Sequence, residues 1–384
     1  MKTPILDMAK RYSEKNIALF SMPGHKNKAP LAFSELFKRD FTELSITDNL
    51  FDPKHEILES EKEAEKLYNN KEGYYLYSAG GASLCVMTAL AVAKEYTNRI
   101  IVSRFCHSSV INGLEITGLE PVWLEQKNDK DSGVFLPVDF DSVKSAIIFN
   151  KTAKALLITS PDYYGNRSDI EKISKICTDN GVMLIIDNSH GSHLFLTGKH
   201  PLEMNADIVI DSLHKTMPAL TGAAILHISK SLAMSNNRQH FLNKMAMFAS
   251  TSPSYLIIQS IEACLYWAEN FGKSEFSKLD DRILQLRNEI EELGYKLTSL
   301  KNSDNLRVVI NAKLSGMSGT ELQEKMIKND VIPEMADENN VVLITSPFDE
   351  EADYKKLLSV LKSIKKEYVN MNSKVVNIEE FIIP

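Results

Sequence analysis

Two stretches decide how this chain is read: VMLIIDNSH (Val182–His190) and ADIVIDSLHKT (Ala206–Thr216). Each is a short run rich in Ile, Leu and Val that stops abruptly at polar and ionisable residues. Such a run fits a parallel strand buried on both faces, and its carboxyl end is where that kind of sheet delivers side chains to a cleft. The first run delivers Asp187, Asn188, Ser189 and His190, and the second delivers Asp211, Ser212, His214 and Lys215. An acid at one strand end and a lysine just past a later one also make an ordinary ion pair, and spacing alone leaves both readings open.

A cofactor that needs both groups is pyridoxal phosphate, which takes a lysine amine for its Schiff base and a carboxylate against its pyridinium nitrogen. The segments DNSHG (187–191) and SLHKT (212–216) resemble the aspartate and lysine motifs of the pyridoxal-phosphate-dependent ornithine/lysine/arginine decarboxylases, which have the aspartate-aminotransferase fold (fold type I). By that resemblance Lys215 would be the Schiff-base lysine and Asp187 the partner of the ring nitrogen. Ser189, Ser212 and His214 would be cofactor contacts, and His190 or His214 could share proton transfer with Lys215.

Further segments resemble the same family in the same order. SMPGHK (Ser21–Lys26) matches its PGHK signature, where His25 is a candidate substrate contact or a solvated turn histidine. DFTELSITDNLFDP (Asp40–Pro53) follows. RFCHSS resembles the histidine motif, so His107 would stack on the pyridine ring, although Ser108 replaces the family's lysine. SPDYYGN carries Tyr163, a candidate substrate contact, with Asp162 in place of a threonine. TSPSY (251–255) resembles a segment whose Thr251 and Ser252 would reach the phosphate in the neighbouring subunit, implying a homodimer with shared sites. VIPEMAD places Glu334 where a carboxylate would suit a cationic substrate tail.

GYYLYSAGGAS reads as a strand, Tyr74–Tyr77, a Gly-Gly turn and an apolar helix, Leu84–Tyr96. Glycines let the backbone approach an anion, and a helix start offers free amides and a favourable dipole. Gly81, Ala82 and Ser83 are therefore the candidate phosphate cradle; the same turn is equally an ordinary strand-to-helix connection.

The 384 residues are 43% hydrophobic and 25% charged, enough for a sizeable core. A net charge of -7 without a long basic run leaves no footprint for nucleic acid or an anionic membrane. Cys85, Cys106, Cys177 and Cys264 form no CxxC pair, so no metal site or disulfide framework is indicated, and a cytoplasmic setting is expected. No signal peptide and no membrane-length apolar run are read.

Strands alternate with helices up to the loop after Lys215, which indicates a large α/β domain with a mostly parallel, seven-stranded-type sheet. The reading divides the chain into an N-terminal helix and arm (1–54), a large cofactor-binding domain (55–272) and a smaller C-terminal α/β domain (273–384) of order αβαβα. Expected helices include 1–20, Ser168–Asp179 with a serine cap, and Ser231–Met247. Longer relatives carry an additional C-terminal domain, so this chain reads as a short form. The resemblance implies decarboxylation of arginine, lysine or ornithine through an external aldimine and a quinonoid. Alternatives are an aminotransferase or other α-carbon chemistry on a basic amino acid, and a non-catalytic cofactor-binding or regulatory partner of a decarboxylase.

Overall fold

A computed structural model describes residues 1–15, 21–23, 25–26, 33–68, 72–298 and 302–379, with side chains up to residue 365. The chain forms two compact units. The first combines residues 1–126, 137–162 and 167–273; the second combines 127–136, 163–166 and the chain from 274 onward.

The first unit is built on strands β1 (Tyr74–Ser78), β2 (Arg99–Ser103), β3 (Glu120–Leu124), β4 (Ala153–Thr159), β5 (Met183–Asp187), β6 (Ile208–Ser212) and β7 (Ala224–Ile228), in the order β1-β7-β6-β5-β4-β2-β3. Pairings β3–β2, β2–β4, β4–β5 and β5–β6 are parallel; β7 runs antiparallel to both β6 and β1. The parallel strands and β1 therefore end at one edge. Every residue of β5, β6 and β7 is buried, as a strand covered on both faces requires. The parallel crossover from β5 to β6 uses two 3-10 turns, Leu194–Thr197 and Pro201–Met204, in place of a long helix.

Several boundaries differ from the sequence reading. The first helix is Pro4–Glu14, and residues 16–20 of the expected 1–20 span lie outside the described residues. The helix expected from Ser168 starts at Ile170, and its cap is Asp169, whose side chain accepts from the Lys172 amide. The single helix expected over Ser231–Met247 is two, Lys230–Ser235 and Arg238–Ala246. The break falls at two asparagines, and Asn237 caps the second helix by accepting from the His240 amide, a local bond that competes with continuing the first.

The second unit contains an antiparallel sheet, β10-β11-β9-β8, formed by β8 (Lys296–Leu297), β9 (Arg307–Asn311), β10 (Met335–Ala336) and β11 (Asn340–Ile344). The αβαβα order expected here counts two strands, which correspond to β9 and β11. The other two are two residues long, too short to carry a period-two pattern.

Pro4 opens the first helix, and its cap position, Thr3, makes no side-chain capping bond. The bare helix start is satisfied instead by Glu262, on the helix Tyr255–Trp267. Its two carboxylate oxygens accept from the Ile5 and Leu6 amides at 3.1 and 2.7 Å. Glu262 is fully buried, and that burial, opposed by the Ser60 hydroxyl and the two amides, raises its pKa from 4.5 to about 7. The native state therefore keeps a proton that the unfolded chain releases above 4.5. Stability from this group is present below that pH and is lost as pH rises through about 7.

The expected result is that the unfolding free energy of the wild type, relative to Glu262→Gln, falls by about 2–3 kcal/mol between pH 4.5 and 7.5. Parallel urea titrations of the two proteins across that range check it; a constant difference between them would refute the assignment.

Candidate active site

Asp187 is the last residue of β5 and 2% exposed. Its Oδ1 accepts from both the amide and the hydroxyl of Ser189. The chain then makes a tight turn, the Gly191 amide donating to the Asn188 carbonyl at 2.8 Å, and the turn holds Ser189 and His190 at its centre. Gly191 has no room for a side chain: a methyl there would lie 2.3 Å from Asn188 Oδ1, 2.6 Å from Pro161 Cδ and 2.7 Å from Leu194 Cδ1.

Beyond β6, the single helical turn Leu213–Thr216 carries His214 and Lys215. It is fixed at its start by the Leu213 amide donating to the Ala223 carbonyl at 3.0 Å. Lys215 is partly buried, and its Nζ lies 3.2 Å from His190 Nε2. An ammonium donates to an unprotonated Nε2, and a neutral amine accepts from a protonated one. Either way, the pair shares a transferable proton. The His214 pKa is lowered, by burial first and by the Lys215 charge, against the pull of the Ala223 carbonyl. His214 Nδ1 lies 3.3 Å from the Gly222 amide, which can only donate, and 3.4 Å from the Ala223 carbonyl, which can only accept, so the two contacts favour opposite tautomers of the neutral ring.

Gly222 also receives the Gly81 amide at 2.9 Å. Gly81 has a φ of +71°, where glycine is favoured, and begins the helix Gly81–Ala93 after the carboxyl end of β1. The cap position, Gly80, has no side chain to occupy the amides of the first turn. Gly81, Ala82 and Ser83 begin a helix whose positive dipole end lies at the strand-end edge; the Gly81 amide is taken by Gly222, which leaves the amides of Ala82 and Ser83 for an anion.

The remaining expected residues are placed as follows. His107 is exposed and caps the helix Ser108–Thr117, its Nδ1 accepting from the Ser109 amide at 3.1 Å. His25 is 3.2 Å from Asp40 Oδ2 and stacks on Phe37 at 4.3 Å; Gly24 beside it lies outside the described residues. Thr251 and Ser252 are exposed. The helix after them starts at Tyr255, and Pro253 precedes its cap residue Ser254, which makes no side-chain capping bond. Glu334 and Tyr163 belong to the second unit, where the Tyr163 hydroxyl donates to Glu334 Oε1. Burial and that carboxylate push the phenol up to about 12.

Two expected placements are corrected: Asn188 is fully buried, its Nδ2 on Asp211 at 2.6 Å. Asp211 is not delivered to a cleft: it is fully buried within β6 and bonded by His200, His227 and Asn188. Alternation along a strand turns it to the face opposite Ser212. His200 and His227 were missed by sequence reasoning. The available signal was a histidine inside the apolar run AILHI, whose imidazole needs a buried partner.

Residues 3–315 match the family model described as Orn/Lys/Arg decarboxylase, major domain. The chain is 32% identical over 368 residues to the uncharacterised Bacillus subtilis protein YaaO, covering 90% of this chain and 74% of that one. It is 24% identical over 398 residues to an arginine decarboxylase of Bacillus anthracis, covering 98% and 80%. Lysine decarboxylase A from Pseudomonas aeruginosa superposes with a TM-score of 0.83 at 16% identity, a likeness of fold that covers 96% of this chain; the chain spans 60% of that protein's length. Among the described residues no helix is long and apolar enough to cross a membrane.

Gly191→Ala is expected to cost ~1–3 kcal/mol, because the added methyl must displace atoms of three neighbours. Chemical denaturation checks this, and an unchanged midpoint and slope would contradict the packing described.

Proposed function

Because the chain belongs to the ornithine/lysine/arginine decarboxylase family, we propose that it removes the α-carboxylate of a basic amino acid as carbon dioxide and leaves the amine, using pyridoxal phosphate. One observation carries this reading. The amine of Lys215 lies 3.2 Å from His190 at the adjoining ends of β5 and β6, where Asp187 is buried.

The residues present fit that cofactor. A partly buried lysine can hold an aldehyde, a buried carboxylate suits a protonated pyridine nitrogen, and a glycine-rich helix start suits a phosphate. When bound, pyridoxal phosphate supplies an electron-accepting ring that takes up the pair released at the substrate α-carbon.

The chain's own residues supply the rest. Lys215 would hold the cofactor covalently through its side-chain amine. Asp187, fixed by two bonds from Ser189, keeps the ring-nitrogen proton in place. His190 holds or moves a proton at Lys215 Nζ, and His214, favoured as the neutral ring by burial, serves as a second proton carrier. Ser212 flanks Lys215 as a cofactor contact, and His107 is assigned to the face of the ring. His25, Tyr163 and Glu334 are assigned to the substrate, with the Glu334 carboxylate matching a cationic tail. Thr251 and Ser252, exposed in this chain, are assigned to the cofactor phosphate of a second copy, which makes the working form a homodimer.

The test is to supply arginine, lysine and ornithine separately with pyridoxal phosphate and measure carbon dioxide, amine and keto acid. The expected result is equal release of carbon dioxide and amine from at least one of them, with turnover lowered ~10³-fold or more in Lys215→Ala. A keto acid without carbon dioxide would replace the decarboxylase reading with transamination. Loss of none of the three amino acids would leave a protein that binds the cofactor without turning substrate over.

A further inference from the structure

Behind the strand ends lies a polar cluster that the proposed reaction does not use. Asp211, His200 and His227 are each fully buried. His227 Nε2 is 2.9 Å and His200 Nε2 3.1 Å from the same carboxylate oxygen, Asp211 Oδ2; Asn188 Nδ2 is 2.6 Å from the other, Oδ1. Tyr68 covers the two imidazoles, with ring centroids 4.5 Å from His227 and 5.2 Å from His200.

The hydrogen-bond inventory has one consistent solution. The Leu202 amide donates to His200 Nδ1 at 3.4 Å, so that ring carries its proton on Nε2 and gives it to Asp211. His227 Nδ1 has no partner, so its proton also lies on Nε2, against the carboxylate. Burial favours the neutral form of His227. For Asp211, burial acts to raise the pKa, but the two imidazoles outweigh it and hold the carboxyl far below its ordinary range. The cluster is thus an anion that accepts three charge-assisted hydrogen bonds in a fully buried setting.

The four residues come from different places. Asn188 follows β5, Asp211 is in β6, His227 is in β7 and His200 is in the crossover between β5 and β6. Asn188 is also the first residue of the turn that holds His190, and Asp211 lies four positions before Lys215. We propose that Asp211 is a positioning residue: through Asn188 and the two imidazoles it locks the turn that presents His190 to the strand end that presents Lys215. A shift of an ångström in a reacting pair costs up to about a hundredfold in rate, and His190 and Lys215 are themselves only 3.2 Å apart.

The cluster could instead be read as a metal site, since its ligand atoms lie within 4.8 Å of one another. The geometry disfavours that. Both imidazoles point N–H groups at one oxygen at hydrogen-bond distance, and the carboxylate already has a donor on each oxygen.

The inference rests on the cofactor role of Asp187 and Lys215, so its test includes a readout that needs no cofactor. Hydrogen exchange is measured on cofactor-free wild type, Asp211→Asn and Asn188→Ala. Asn188→Ala cuts only the link to the turn and leaves Asp211 bonded to both histidines, so it keeps the test alive if Asp211→Asn does not fold. The expected result is ~10-fold faster exchange across 188–191 in either folded variant, with β2 and β4 unchanged. With pyridoxal phosphate added, the visible absorbance of the lysine-bound cofactor should titrate at a shifted pH, and kcat should fall ~10–100-fold with KM changed less than threefold.

Unchanged exchange and titration in Asn188→Ala would overturn the proposal. So would a transition ion that copurifies at one equivalent and is lost in His200→Gln. Absence of the visible band in the wild type would count against the cofactor reading alone, because the exchange result stands apart from it.

Discussion

The parallel pairing of β5 with β6 is the constraint on which the site depends. Asp187 lies opposite Ile210, and the Asn188 amide continues the ladder by donating to the Ile210 carbonyl at 2.9 Å. Strands paired in this direction end together, which is how an acid and an amine far apart in sequence reach one edge of the sheet. The register is held by the apolar interior: Leu184, Ile185, Ile186, Ile208, Val209 and Ile210 are all fully buried. A slip of one residue would turn every one of these side chains to the other face and carry Asp187 with them.

The first unit handles buried acids in three different ways. Asp187 is held by the amide and hydroxyl of its neighbour Ser189, a local arrangement. Asp211 is held by donors from three separate segments and stays ionised. Glu262 faces only two backbone amides and a hydroxyl, and burial lifts its pKa to about 7. The order follows the donors available: imidazole N–H groups outweigh desolvation at Asp211, whereas the donors at Glu262 do not. One fold thus contains an acid suited to holding a neighbouring proton, an acid suited to fixing geometry and an acid that titrates.

Much of this was legible in the sequence because it is local. The runs MLIID and IVIDS end where their apolar residues end, and of the polar residues that follow the first, His190 lies 3.2 Å from Lys215. The Gly-Gly turn before an apolar helix likewise announced its own conformation. What was not legible depends on segments that meet only in the folded chain. Nothing near Asp211 in sequence points to His200 or His227, and nothing near Thr3 points to Glu262 as the group that finishes its helix. The break at Asn236 and Asn237 was lost to a continuous apolar pattern, although asparagine's preference for caps offered a signal.

The central claim is that Lys215, and no other amine, joins an aldehyde cofactor. The most direct measurement is to incubate the protein with pyridoxal phosphate, reduce it with borohydride, digest it and locate the added mass by tandem mass spectrometry. The account expects one modified residue, Lys215, at close to one equivalent per chain. A stable adduct on a different lysine, or none above the background of exposed lysines, would contradict it.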